Sequence, residues 1–399
     1  MTRSDQRSAA TAGVPVLAGR QIVQVLATST GGVGTHVRAI LPGLRCAGAT
    51  VRVCGPPATD ALFGFGSAGA QFQPVGIASG LRPVQDARAL IGLRRALRGA
   101  DLVHAHGLRA GLLSVLARPA AAVVVTLHNA LLDTAGRRGT LDKALERIVI
   151  RGADVVLAAS LDLAEHARSV GGRDVRSAPV TAPTLPEATR TRSQMRAELG
   201  VPETMPLLLA VGRLHPQKGY DTLLSAAGRW RDRTDGLLTV IAGEGPLHAE
   251  MSERIAREHL PVVLLGRRSD VANLLSACDL VVLTSQWEAR ALVAQEALRA
   301  GRPLVATAVG GIPELAGQGA GVLIPPNDWI ALDAAVTDVL GDPARAAALV
   351  EAGRSAAATW PTMDDTVAQL SALYAELLGA SVAMSSDQPR SARRDPAPG

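Results

Sequence analysis

The chain has almost no lysine. Of its 41 basic residues only Lys143 and Lys218 are lysines, and the other 39 are arginines. Aromatic residues make up 2% of the 399 residues, which leaves no cluster for stacking bases, and the arginines are scattered. The formal net charge of +5 therefore does not argue for nucleic acid. No run of eighteen apolar residues appears, which argues against a transmembrane helix. The first twenty residues contain Arg3, Asp5 and Arg7 but no apolar stretch of the length a signal peptide needs. Three cysteines (Cys46, Cys54, Cys278) are an odd number without metal spacing, so the expected compartment is a reducing cytoplasm.

What is abundant is apolar surface. With 47% apolar residues the chain can build two cores, and its length fits two domains of about 170 residues each. Short apolar runs alternate with helix-like segments. They fall at Gln21–Ala27, Val51–Cys54, Leu102–His104, Val123–Leu127 and Asp154–Ala158, then at Leu207–Val211, Leu237–Ala242, Val262–Leu265, Leu280–Thr284, Leu304–Ala306 and Gly321–Ile324. Buried runs separated by Ala/Leu/Arg helices are the pattern of parallel α/β sheets covered on both faces. Two such sets predict an α/β chain of two Rossmann-like domains. Pro179, Pro183 and Pro186 mark an extended linker before a helix at Arg192–Leu199, and Trp360-Pro361 should break the penultimate helix. The expected divisions are a disordered tail at 1–18, a first domain at 19–182, a linker and helix at 183–204, a second domain at 205–360, a last helix at 361–381 and a second tail at 382–399.

Two stretches of the second half carry chemistry. After the run Leu280–Leu283 come Glu288 and, eight residues on, Glu296. On one helix that spacing would leave them roughly 80° apart, so they are not a stacked pair. If the helix begins near Ala291, Glu288 lies in the loop at its mouth and Glu296 one and a half turns inside. A carboxylate in an otherwise apolar helix (Leu292, Val293, Ala297, Leu298) is costly unless something pairs with it. Upstream, Val211-Gly212-Arg213-Leu214-His215-Pro216-Gln217-Lys218-Gly219 is a strand-to-helix turn bearing two cations. That one of only two lysines falls here suggests a need for a compact ammonium. Carboxylates for hydroxyls and cations for phosphates suggest a nucleotide-sugar site.

In the first half, Thr30-Gly31-Gly32-Val33-Gly34 opens the first helix, where unpaired N–H groups favour an anion. It lacks the spaced dinucleotide fingerprint, and Gly55-Pro56-Pro57 lacks the acidic residue that would hold a ribose of NAD. Asp101–His106 and Thr126–Asn129 both end strands, where α/β ligands collect. His104 and His106 are read as facing opposite sides of their strand, with at most one toward the cleft. Two histidines without a third ligand do not make a metal site. His36, in the first helix, either reaches an acceptor or is exposed.

The Glu-x7-Glu pair, the Gly-Arg-Leu-x-x-x-Lys-Gly turn and the Gly-Gly-x-Gly loop, in this spacing over about residues 20 to 380, resemble the retaining glycosyltransferases of family 4. Among them the chain is similar to phosphatidylinositol mannosyltransferases and inositol-phosphate N-acetylglucosaminyltransferases. The resemblance implies the GT-B fold, with a final helix crossing back onto the first domain. It also implies sugar transfer with retention from a nucleotide-diphosphate sugar, such as UDP-GlcNAc, UDP-glucose or GDP-mannose, to a hydroxyl of an inositol phosphate, lipid headgroup or glycan. No metal and no other cofactor is expected. Catalytic positions carried over are Glu288, beside the reacting sugar, His128, facing the transferred sugar, and Arg213 and Lys218, meeting the leaving diphosphate. Donor-binding positions are Gly31, Gly32, Gly34, Arg213, Lys218, Gly243, Arg267, Leu292, Val293 and Glu296, the last on the ribose hydroxyls. The turn Gly243–Pro246 equally reads as a simple turn. Where the family usually continues Glu-Gly-Phe-Gly, this chain has Glu288-Ala289-Arg290-Ala291. Arg290 is an expected substitute source of charge, and an inactive sugar-binding or partner module is the alternative. A sugar-nucleotide epimerase of the same fold would need carboxylates for elimination in the first domain, and none is evident. The acceptor is expected on the first domain, near His128 and a loop at Asp133–Gly139 with Arg137 and Arg138. The Arg-rich helix around Ala87–Arg98 is solvated cover or a peripheral contact with the anionic inner face of the plasma membrane.

Overall fold

The computed structural model describes residues 15–129 and 137–386. The apolar runs pair into two parallel sheets. The first contains β1 (Gln21–Leu26), β2 (Thr50–Gly55), β3 (Gln71–Pro74), β4 (Leu102–His106), β5 (Ala122–Leu127), β6 (Val155–Ala158) and β7 (Val175–Ser177), in the order β3-β2-β1-β4-β5-β6-β7. The second contains β8 (Leu207–Val211), β9 (Leu238–Ala242), β10 (Val262–Gly266), β11 (Leu280–Leu283), β12 (Leu304–Thr307) and β13 (Val322–Ile324), in the order β10-β9-β8-β11-β12-β13. All the predicted runs are strands. The two that were not predicted, β3 and β7, are the edges of the first sheet. An edge strand has a neighbour on one side only, so Gln71-Phe72-Gln73-Pro74 and Val175-Arg176-Ser177 keep polar side chains and carry no apolar run.

Register explains what each face of the first sheet carries. Gln24 pairs with His104, and His106 pairs with Thr126, so these residues project to the same side. On the opposite side Val23, Val25, Val103, Ala105, Val125 and Leu127 enter a core with Leu93, Leu113 and Val149. The polar side is covered by the helices Gly32–Cys46 and Met363–Ser386, through Ile40, Leu44, Leu370, Leu373 and Tyr374. The last helix thus leaves the second domain and returns to the first. It follows a break at Trp360-Pro361 between helices ending at Ala358 and starting at Met363, where the proline is expected to break the penultimate helix.

The two crossing segments are fastened together. No helix or strand occupies residues 178–191. There the fully buried Gln295 accepts from the Ala182 N–H (3.0 Å) and donates to the Val180 carbonyl (3.0 Å). Thr181 donates to the Pro361 carbonyl at 3.2 Å. Two expected tail boundaries move. Leu17, assigned to the first tail, is fully buried and donates to the Ala47 carbonyl, because the chain enters the core just before β1. The last helix extends to Ser386, five residues into the expected second tail. Residues 1–14 and 387–399 of those tails lie outside the described residues.

Candidate functional site

Both motifs of the second domain sit at C-terminal ends of adjacent strands, β8 and β11. Hydrogen bonds to backbone carbonyls hold their two loops edge to edge. The Gln286 N–H donates to the Gln217 carbonyl (2.7 Å), the Gln217 side chain to the Trp287 carbonyl (3.0 Å), and Thr284 Oγ1 to the Lys218 carbonyl (3.0 Å). Gly219 makes the approach possible. Its φ is +60°, and a β-carbon there would lie 2.1 Å from the Thr284 carbonyl oxygen. The result presents Lys218 Nζ to Glu288 Oε1 as a close ion pair, with Ser285 Oγ donating to the same oxygen at 2.7 Å. Both charged side chains are largely withdrawn from water, 17% and 11% exposed, so neither charge is free of the other.

The stretch Ala289-Arg290-Ala291 needs no left-handed residue, since none of the three has positive φ. The close approach that glycine permits falls instead on Gly310 and Gly311, which carry no local motif of their own. A β-carbon on Gly310 would lie 1.9 Å from the Glu288 carbonyl oxygen, and one on Gly311 would lie 1.8 Å from that of Ala289. The Gly311 N–H donates to Glu288. Arg290 does not turn toward the site as expected. Its guanidinium stacks 5.6 Å from the Trp360 ring centre, with Arg299 at 5.8 Å from the same ring, and burial lowers the pKa of each. Trp360 at the crossover offers a face that a guanidinium fits.

The helix Leu292–Arg299 starts where expected and carries Glu296 inside it. Glu296 is partly buried and makes no side-chain hydrogen bond among the described residues. Burial pushes its carboxyl up to about 7, against the pull of Arg299. Of the remaining donor-binding candidates, Gly243 packs against the backbone, with space for a β-carbon only 1.8 Å from the Gly212 carbonyl oxygen. Arg213 and Arg267 are exposed and unpaired among the described residues. Val293 is buried in the core rather than open to a ligand.

The first domain meets this site directly. A β-carbon on Gly31 would lie 3.9 Å from the Arg213 side chain, and one on Gly32 would lie 3.5 Å from Leu292. The glycine loop, the Arg213 turn and the helix mouth therefore converge, and the unpaired N–H groups of helix Gly32–Cys46 open among them. Gly34 is different. A β-carbon there would overlap the Phe63 ring at 2.2 Å, so helix packing, and no ligand, explains that glycine. Trp287 and Ala289 complete the contact by joining the core of the first domain, and Trp287 Nε1 donates to Asp162 at 3.0 Å. Neither was singled out from sequence.

Above the polar side of the first sheet lies a cluster of four histidines. His104 and His106 do not face opposite sides. Residues two apart on a strand share a face, and their ring centres are 4.2 Å apart. His106 Nδ1 lies 3.1 Å from His128 Nε2, and His36 packs edge-on against both rings. His36 is buried and not exposed. Burial holds all four below the ordinary histidine range, His36 near 4 and His104 near 3, and the neighbouring rings lower His104, His106 and His128 further. No group of three or more potential ligands is arranged to hold a metal among the described residues. The expected acceptor loop at Asp133–Gly139 lies in part outside the described residues, and Arg137–Gly139 begins a helix that runs to Gly152.

Residues 31–182 match the family described as "Glycosyl transferase 4-like domain", and residues 191–356 match "Glycosyl transferases group 1". The glycogen synthase of Mycobacterium tuberculosis is 31% identical over 294 residues, covering 68% of each chain. The D-inositol 3-phosphate glycosyltransferase of Mycobacterium bovis is 31% identical over 306 residues, covering 70% of this chain and 62% of its own. Among solved structures, sucrose-phosphate synthase from Thermosynechococcus elongatus superposes with a TM-score of 0.75 at 21% identity, over 90% of this chain and all of its own. Anabaena Alr3699/HepE in complex with UDP-glucose has a TM-score of 0.75 at 20% identity, over 90% of this chain and 99% of its own. Those likenesses establish the fold as GT-B.

Proposed function

The chain belongs to glycosyltransferase family 4, and from that membership we propose that it moves a sugar, with retention, from a nucleoside-diphosphate sugar to an acceptor hydroxyl. The observation that carries this is Glu296, a carboxylate driven up to about 7 by burial and without a side-chain hydrogen bond among the described residues, on the helix Leu292–Arg299 that follows the Lys218–Glu288 pair. A ribose diol supplies the two donors that such a carboxylate lacks. The diphosphate then lies between Arg213, Lys218 and the N-terminus of helix Gly32–Cys46, three sources of positive potential, with Gly31 opening that helix beside the Arg213 side chain. As the bond from the anomeric carbon to the phosphate oxygen breaks, Lys218 meets the growing negative charge and Glu288 the positive charge on the sugar. The acceptor oxygen bonds to the anomeric carbon from the same side, and its proton passes to the departing phosphate oxygen. No separate strong base is needed.

UDP-glucose is the first donor to try, since the Anabaena structure of the same fold holds it. Inositol phosphates lead the acceptors, by likeness to the mycobacterial relative. Among the described residues no helix is long and apolar enough to cross a membrane. The helix Pro83–Ala96 sets Val84, Arg88, Ile91 and Arg95 on one exposed face, 67% and 52% exposed at Val84 and Ile91. Apolar and cationic residues in one stripe suit peripheral contact with an anionic membrane from the cytoplasmic side. Mixing the protein with UDP-glucose, UDP-GlcNAc or GDP-mannose and measuring release of nucleoside diphosphate tests the reading, and no release from any donor would favour the inactive module.

A further inference from the structure

We propose that Gln24, His106 and Tyr374 are positioning residues that set the tautomer of His128, so that His128 offers its substrate a bare Nδ1. The role of that nitrogen in transfer rests on the function proposed above; the tautomer itself does not.

A single hydrogen-bonded chain runs under the histidines. Thr126 Oγ1 meets His104 Nε2 at 2.6 Å, and His104 Nδ1 meets Tyr374 Oη at 2.6 Å. Gln24 bridges Tyr374 Oη (3.3 Å from its Nε2) and His106 Nε2 (2.7 Å from its Oε1), and His106 Nδ1 meets His128 Nε2 at 3.1 Å. All these residues are buried, and burial keeps the rings neutral, so each ring carries one hydrogen.

The distances choose the direction of the chain. With the Gln24 oxygen on His106, the 2.7 Å contact is an ordinary N–H···O bond and the 3.3 Å contact a long amide donation to Tyr374. Turning the amide over would put two nitrogens 2.7 Å apart and stretch an O–H···O bond to 3.3 Å, beyond its usual upper end of about 3.0 Å. The oxygen therefore faces His106, whose Nε2 must carry the hydrogen. His106 Nδ1 is then an acceptor, His128 Nε2–H donates to it, and His128 Nδ1 is left with its lone pair. Tyr374 accepts from Gln24 and turns its one hydrogen to His104 Nδ1, and His104 donates to Thr126. Each of the five contacts then has one donor and one acceptor.

His128 Nδ1 has no partner among the described residues, and His128 stands at the C-terminal end of β5, beside the helix that opens at Gly31 and Gly32. A bare nitrogen there receives a hydrogen bond from a hydroxyl and repels a carbonyl or phosphate oxygen. The class of group it selects is thus a sugar or acceptor hydroxyl. Tyr374 makes the polarity depend on docking of the last helix, the element that returns from the second domain.

The test is a long-range proton–nitrogen NMR spectrum of ligand-free, full-length protein labelled with 15N-histidine, with His128→Gln used to assign the residue. His128 should show a pyridine-type Nδ1 and a pyrrole-type Nε2. The opposite pattern overturns the proposal. In Tyr374→Phe the Gln24 amide loses its acceptor and is free to turn, so a pyrrole-type Nδ1 should appear at His128 and turnover should fall about tenfold. An unchanged His128 spectrum in that variant overturns the positioning role. A protein that transfers no sugar yet shows the stated tautomer refutes the proposed function and leaves this inference standing. One that transfers sugar with a protonated Nδ1 does the reverse.

Discussion

Donor binding should become tighter as pH rises through 7, and Glu296 should be the reason. Burial raises this carboxyl from 4.5 to about 7, which opposes its ionisation by about 3 kcal/mol. A ribose diol donates to the ionised form and lowers the pKa in the complex. Below 7 the ligand must displace a proton, so affinity should drop up to tenfold per pH unit until the bound-state pKa is reached. UDP-glucose suits the assay because its diphosphate is esterified at both ends and does not titrate here. Calorimetry from pH 5.5 to 8 in two buffers of different ionisation enthalpy should show affinity rising to a plateau above 7, with proton release below it. Glu296→Gln should bind more weakly at pH 8 and flatten the profile. Stability of the free protein should run the other way. The folded-state pKa lies above the unfolded one, so between 4.5 and 7 the folded chain binds more protons and loses stability as pH rises. Glu296→Gln should remove that loss in urea unfolding at pH 8 and change nothing near pH 4. An affinity for UDP-glucose independent of pH, or kept in the glutamine variant, would refute the ribose assignment.

Lys218→Ala should lower turnover by about 10²-fold with a smaller effect on donor affinity, since the charge it meets grows toward the transition state; steady-state kinetics with varied donor checks this. Lys218→Arg should recover only part, and a fully active arginine variant would show that a compact ammonium is not required. Gly311→Ala places a methyl group on the Ala289 carbonyl oxygen, so it should displace the Glu288 loop and cost about 2 kcal/mol in thermal unfolding along with most activity. Arg88→Glu with Arg95→Glu should abolish sedimentation with anionic vesicles, binding that in the parent protein weakens as salt rises. Wild-type protein that ignores such vesicles would remove the membrane contact.

The buried strands were legible because parallel sheets covered on both faces need continuous apolar runs. The edge strands β3 and β7 do not, and so left no such trace. Glu288, Glu296 and Lys218 stood out because charge at the end of an apolar run is conspicuous. Gly310, Gly311, Trp287 and Asp162 did not, because their roles depend on chain segments far away in sequence that meet only on folding. The histidine cluster was within reach. Gln24, His104, His106 and Thr126 are polar residues inside apolar strands, and spacing by two puts His104 and His106 on one face. Their partner Tyr374, 270 residues from His104, carried no local sign of its place. Arg290 misled for a related reason: only the fold shows that Trp360 is near enough to hold it.

Transfer with retention at the Lys218–Glu288 pair fixes the configuration of the product. Its most direct measurement incubates the protein with UDP-glucose, UDP-GlcNAc and GDP-mannose against inositol phosphates, phosphoinositide vesicles and simple sugars, and reads the anomeric configuration of any product by NMR. The parent protein should form a glycoside with the donor's own α configuration, and Glu288→Gln and Lys218→Ala should nearly lose it. A β-linked product, or an α-linked product formed equally well by both variants, would contradict transfer with retention at this pair.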